Sequence, residues 1–127
     1  MRLDMDCVRE VLLEIEKMPF NGYITIDQLC SALPEMEPDN VYYSALKLIE
    51  AGYLSGDILP KMKSYLPGIK GIYDITFQGH EFLNEIREPE RWTKVKTISK
   101  RIGSSSLQAI WNIAQQLTVT LIQSALQ

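Results

Sequence analysis

Apolar residues near the start of the chain recur at helical spacing. Val8, Val11, Leu12 and Ile15 make one stripe, with Arg9, Glu10, Glu14 and Lys17 on the wet side. The spacing predicts a first helix from Asp4 or Asp6 to Lys17. The two aspartates are placed to cap free amides and to meet the positive end of the helix dipole. Pro19 and Asn21-Gly22 end it. Tyr23-Ile24 has room for a very short strand. Thr25, with Gln28 three positions on, reads as a capping box that opens a short second helix, which Pro34 stops.

Pro38 suits the first turn of a third helix running to Ala51. Val41, Ala45, Leu48 and Ile49 are expected to face inward, with Tyr42 and Leu46 flanking. Asn40, Tyr43, Ser44 and Lys47 are expected on the opposite, outer face. Gly52 is placed as the left-handed cap. Tyr53–Leu59 and Ile69–Ile75 are rich in β-branched and aromatic residues and read as a hairpin. Residues 60–68, with proline and glycine punctuation, form its loop. Thr76 is a good N-cap for a fourth helix carrying Phe77, Phe82, Leu83 and Ile86. Pro89 opens a fifth, with Trp92, Val95, Ile98 and Ile102 on its apolar side, and Gly103 closes it. Ser104-Ser105-Ser106 caps a last helix from Leu107 to about Leu126.

The order helix, short strand, helix, helix, hairpin, helix is that of a winged helix: a helix-turn-helix with a β-hairpin wing. The expected fold is therefore α+β, with a winged-helix domain over residues 1–88. A two-helix C-terminal extension follows over residues 89–127. When such a domain binds DNA, the third helix enters the major groove and the wing touches phosphate. The candidate nucleic-acid contacts are Asn40, Tyr43, Ser44 and Lys47 on the third helix, with Lys61, Lys63 and Lys70 on the wing. Asparagine can pair with adenine in a bidentate way, and lysines can hold phosphate. The third-helix face carries no arginine, and Asp39 and Glu50 dilute its charge. A solvated helix face beside a plain loop competes with the DNA reading.

Charge sharpens this picture. The chain has 127 residues and a formal net charge of −3, so it is no generic polycation. Residues 1–37 carry −5, residues 38–90 carry −3 and residues 91–127 carry +5. The late positive charges all lie between Arg91 and Arg101, and residues 102–127 carry none. That basic helix suits phosphate or simply balances earlier acids.

The tail is apolar around much of its circumference. Leu107, Ile110, Ala114, Leu117 and Leu121 recur at spacings of three and four, and Ile113, Val119, Ile122 and Leu126 widen the surface. Glutamines and Asn112 argue against a membrane span. Self-association through Trp92, Leu107, Ile110, Ala114, Leu117 and Leu121, giving a homodimer, is the favoured reading. Packing of the tail on the fifth helix is its competitor.

Catalysis finds little footing. His80, Glu81 and Glu85 share a helix, but one histidine with carboxylates falls short of a metal site. No phosphate loop, nucleophile elbow or HExxH occurs. No enzyme activity, metal or cofactor is expected. Cys7 and Cys30 show no CxxC spacing and read as small apolar residues in a reducing cytoplasm. No leader is recognised at the N-terminus.

Several stretches together resemble a known family. They are Met1-Arg-Leu-Asp-Met-Asp-Cys-Val-Arg-Glu-Val-Leu-Leu-Glu-Ile-Glu16 and Glu50-Ala-Gly-Tyr-Leu54. Ile75-Thr-Phe-Gln-Gly-His-Glu-Phe-Leu-Asn-Glu-Ile-Arg87 and Trp92-Thr-Lys-Val-Lys96 complete the set. The family consists of small bacterial and prophage-encoded proteins classed as a domain of unknown function. The likeness spans nearly the whole chain, with Gly79-His-Glu-Phe-Leu83 its most specific part. The Glu50–Leu54 and Ile75–Gly79 pair is also similar to winged-helix regulators, where a Leu-Thr-x-x-Gly start is usual and Ile75 departs from the leucine. The resemblance implies a winged-helix fold and a phage or mobile-element setting, and it implies no catalytic residues.

Two functions follow. The first is a small cytoplasmic regulator that binds double-stranded DNA. The alternative is a non-enzymatic interaction module, a phage or prophage factor that docks on a host or defence protein. A neutral aromatic patch of Tyr42, Tyr43 and Tyr65 would favour the second.

Overall fold

The structure, a computed structural model, describes residues 1–59 and 68–127. Nine elements follow in order: α1 Met5–Glu16, β1 Ile24–Thr25, α2 Ile26–Ala32, α3 Pro38–Glu50, β2 Leu54–Leu59, β3 Gly68–Ile75, α4 Phe77–Ile86, α5 Pro89–Ile102 and α6 Leu107–Ala125. The chain divides into two compact units, Met1–His80 and Glu81–Gln127, and α4 runs through the division.

In the first unit the helix starts lie where the capping chemistry puts them. The Asp4 carboxylate accepts from the amides of Asp6 and Cys7. Thr25 Oγ1 accepts from the Gln28 amide while Gln28 Oε1 accepts from the Thr25 amide, completing the capping box. The Gly79 amide donates to Thr76 Oγ1 at the head of α4. α3 ends in a Schellman arrangement. Gly52 sits at φ +81°, its amide donates to Ile49 O, and the Tyr53 amide donates to Leu48 O. This left-handed turn sends the chain straight from α3 into β2.

The three strands form one antiparallel sheet in the order β1-β3-β2. Six residues of β2 face eight of β3, and the register absorbs the difference twice. Tyr73 lies unpaired between Ile72 and Asp74, and Lys70 between Ile69 and Gly71, so each is the extra residue of a bulge. The core of this unit joins Val8, Val11, Leu12 and Ile15 of α1 to Val41, Ala45, Leu46 and Leu48 of α3. Leu29 of α2 and Ile69, Ile72 and Ile75 of β3 complete it.

In the second unit α5 packs on α6. Gly103, at φ +71°, closes α5, and Ser106 Oγ caps α6 by accepting from the Ala109 amide. Phe82 and Trp111 stack with ring centroids 6.4 Å apart. No helix among the described residues is long and apolar enough to cross a membrane.

Trp92, Ile110 and Ala114 were expected to serve self-association, but all three are buried within the chain itself. Ile110 and Ala114 lie one turn apart on the side of α6 that packing within the chain covers. Leu107 and Leu117 are half-buried, whereas Leu121, Val119, Ile122 and Leu126 remain exposed.

Candidate nucleic-acid interface

α3 presents an outward stripe. Asp39 and Glu50 are exposed near its two ends, with Asn40, Tyr43 and Lys47 half-exposed between them. The spacing of three and four keeps these side chains on one side of the rod, opposite Val41, Ala45 and Leu48. Lys47 Nζ lies 2.9 Å from Glu50 Oε2 and 5.3 Å from the centre of the Tyr43 ring. The Glu50 hydrogen bond raises the Lys47 pKa, so the ammonium is held charged and drawn toward the end of the helix.

Ser44 does not belong to this stripe. It is 1 % exposed, three positions after Val41 and four before Leu48, in the middle of the buried side. Ser44 Oγ makes no hydrogen bond of good geometry, and the Cys7 thiol of α1 is among its neighbours. Burial pushes the Cys7 thiol pKa up, and the Ser44 hydroxyl offsets part of that rise. A small polar side chain mid-helix reads as surface by type, while the helical period assigns it to the core.

Among the described residues, a hydrogen bond ties the wing to α3. The Ile69 amide donates to Tyr42 Oη at 2.8 Å. Lys70, the next residue, is bulged and exposed, and the tie fixes its backbone relative to α3. Lys61 and Lys63, expected on the wing loop, and Tyr65 beside them lie outside the described residues. The structure thus brings Asn40, Tyr43 and Lys47 together on one stripe and sets Lys70 on the strand bonded to that helix.

Sequence reasoning missed a feature of the sheet. The Tyr23 ring lies across Gly71, where a β-carbon would overlap it, and meets Tyr73 with centroids 5.2 Å apart. Partial desolvation raises the Tyr23 pKa, with further contributions from the Asp57 carboxylate and Tyr73. A glycine between Lys70 and Ile72 in the strand interior is the available signal, because it marks a close approach.

The second unit holds a polar cluster. Arg91 Nη2 donates to Glu85, to Thr118 Oγ1 and to Ala114 O, the last at 2.8 Å, and the Thr118 hydroxyl also donates to Glu85. It pins the start of α5 to α6. Among the described residues no His, Cys, Asp and Glu group is placed to hold a metal ion.

Three helices, a three-stranded antiparallel sheet, and a hairpin directly following the third helix define a winged-helix protein. Residues 2–106 match the model of a family described as hypothetical protein DUF2513, and the chain belongs to that family. No curated protein matches it. In fold the chain is similar to a conserved protein of unknown function described as a potential transcriptional factor. That likeness has a TM-score of 0.48 and 27 % identity, over 78 % of this chain and 89 % of the other. It is also similar to a PadR-like transcriptional regulator of Bacillus cereus, with TM-score 0.47 and 18 % identity, over 80 % of this chain and 96 % of that one. A third likeness is to Bacillus subtilis PadR, solved in complex with operator DNA. Its TM-score is 0.46 and its identity 19 %, over 94 % of this chain and 72 % of that one.

Proposed function

We propose that this protein is a non-enzymatic winged-helix regulator that binds double-stranded DNA in the bacterial or phage cytoplasm. Asn40, Tyr43 and Lys47 face the major groove, and Lys70, with Lys61 and Lys63 of the wing loop, holds phosphate. The observation that carries this reading is the exposed polar stripe of α3, bonded through Tyr42 to the strand that bears Lys70. Self-association uses the half-buried Leu107 and Leu117 and the exposed Leu121 of α6, with the exposed Val119, Ile122 and Leu126. A homodimer would present two such stripes to a two-fold symmetric site.

Fluorescence anisotropy of a mixed-sequence duplex, followed across salt concentrations, tests the reading. Affinity is expected to fall steeply as salt rises, and Asn40→Ala and Lys70→Ala are each expected to weaken binding. No binding at low salt, or binding indifferent to salt, overturns it.

A second reading has its own observation. Lys47 is drawn to Glu50, and Asp39 lies near the other end of the stripe, so the face is close to neutral. Such a face suits docking on a host protein. Loss of a host-protein complex on Tyr43→Ala, with duplex affinity unchanged, would select it.

A further inference from the structure

The solvent face of the sheet carries a surface that the α3 stripe does not use. Thr25, Gly71 and Asp57 form one row across β1, β3 and β2, because Thr25 pairs with Gly71 and Gly71 with Asp57. Tyr23 precedes Thr25 by two positions and shares its side of the strand. Its ring lies back over Gly71, and Asp57 acts on its phenol. Tyr73, the bulged residue of β3, closes against it at 5.2 Å with the rings tilted by 50°. Both rings stay open to solvent, Tyr23 at 40 % and Tyr73 at 48 %.

The surroundings extend the patch. The antiparallel pairing of β1 with β3 puts the start of β1 beside the end of β3. Two further aromatic residues lie close by in sequence at that end: Phe20 is 94 % exposed and Phe77 is 76 % exposed. Scattered exposed aromatics need no account, but two exposed tyrosine rings in contact beside a carboxylate mark an interaction surface. The charge beside them is negative. The strands carry Asp57 and Asp74 against Lys70 alone. Phosphate would be repelled there. A cation is attracted both by the ring faces and by the carboxylate.

We infer that the Tyr23–Tyr73 pair with Asp57 is a docking site for a basic segment of a protein partner, taking an arginine side chain. The planar guanidinium stacks flat on a tyrosine face and bonds the carboxylate through its edge by two N–H groups, whereas a lysine ammonium brings only a compact, strongly hydrated point charge. The inference is independent of DNA binding, since it uses none of the α3 side chains.

Nuclear magnetic resonance of the full chain tests it, with a short peptide of arginine, glycine and serine as probe. A lysine and an aspartate version serve as comparisons. The arginine peptide is expected to shift the signals of Tyr23, Thr25, Gly71 and Tyr73 and to bind more tightly than the lysine version. Tyr73→Ala is expected to weaken binding by about fivefold. Asp57→Asn is expected to weaken it too, while Tyr73→Phe keeps it because the ring face remains. Tyr73 is half open to solvent, so its removal leaves the fold in place. Shifts scattered over α1, equal binding of the aspartate peptide, or affinity unchanged in Tyr73→Ala would each overturn the inference.

Discussion

The Ile69 amide donates to the phenol oxygen of Tyr42 across 2.8 Å, and this bond joins the wing to α3. It spans 27 positions of sequence. The amide lies beside the bulged Lys70, where the ladder between β2 and β3 is irregular, and the phenol satisfies it.

Tyr42→Phe removes only that acceptor. It is expected to lower unfolding free energy by about 1 kcal/mol, read from urea denaturation. Duplex affinity is expected to fall as well, because Lys70 loses its anchor. Unchanged stability would mean that water replaces the phenol without cost.

Ser44→Ala separates the buried position from the outer stripe. The hydroxyl is buried without a well-formed hydrogen bond, so its loss is expected to be neutral or to stabilise by up to about 1 kcal/mol. Duplex affinity should not change. A Ser44→Lys variant, by contrast, places a charge among Val41, Ala45 and Leu48 and should fail to fold stably, as its circular dichroism melt would show.

At position 71 a methyl group has no room. Its β-carbon would overlap the end of the Tyr23 ring and crowd the Ile24 carbonyl oxygen at 2.7 Å. Gly71→Ala is expected to cost about 1–3 kcal/mol in thermal or chemical unfolding. Adding Tyr23→Ala should recover part of the loss, since the ring goes but the Ile24 carbonyl stays.

The thiols give a pH prediction. Burial raises the pKa of both Cys7 and Cys30 above the ordinary 9.0. The unfolded chain therefore loses these protons first as pH rises. The stability involved is fully present below pH 9.0 and is lost as pH climbs through the raised folded values. Iodoacetamide labelling followed by mass spectrometry should find Cys7, which is fully buried, unmodified until the protein unfolds. Cys30 should react more slowly than a free thiol.

Breaking the Arg91 cluster should loosen the second unit. Arg91→Ala leaves Glu85 and Thr118 facing one another without their cation, at an expected cost of about 3 kcal/mol. Hydrogen exchange along α6 should then quicken beyond Ala114.

Local chemistry determined most of the elements directly from the sequence. The capping box at Thr25, the Schellman turn at Gly52, Pro38 and Pro89 at helix starts, and Ser106 before α6 all act within a few residues. Each is legible without knowing what lies across the fold. The element order followed from these, and with it the winged helix. Periodicity placed most of the inward and outward side chains of α1 and α3 as well, and tertiary structure decided the ones whose type and period disagree or whose neighbours lie far off in sequence. Ser44 went into the core because α1 and the rest of α3 cover it, and Trp92, Ile110 and Ala114 were used up within the chain. Two bulges in β3, the Tyr42–Ile69 bond and the Tyr23 ring over Gly71 depend on pairing register between distant segments. A capping residue meets its partner within one turn, whereas a surface exists only after remote segments have covered everything else.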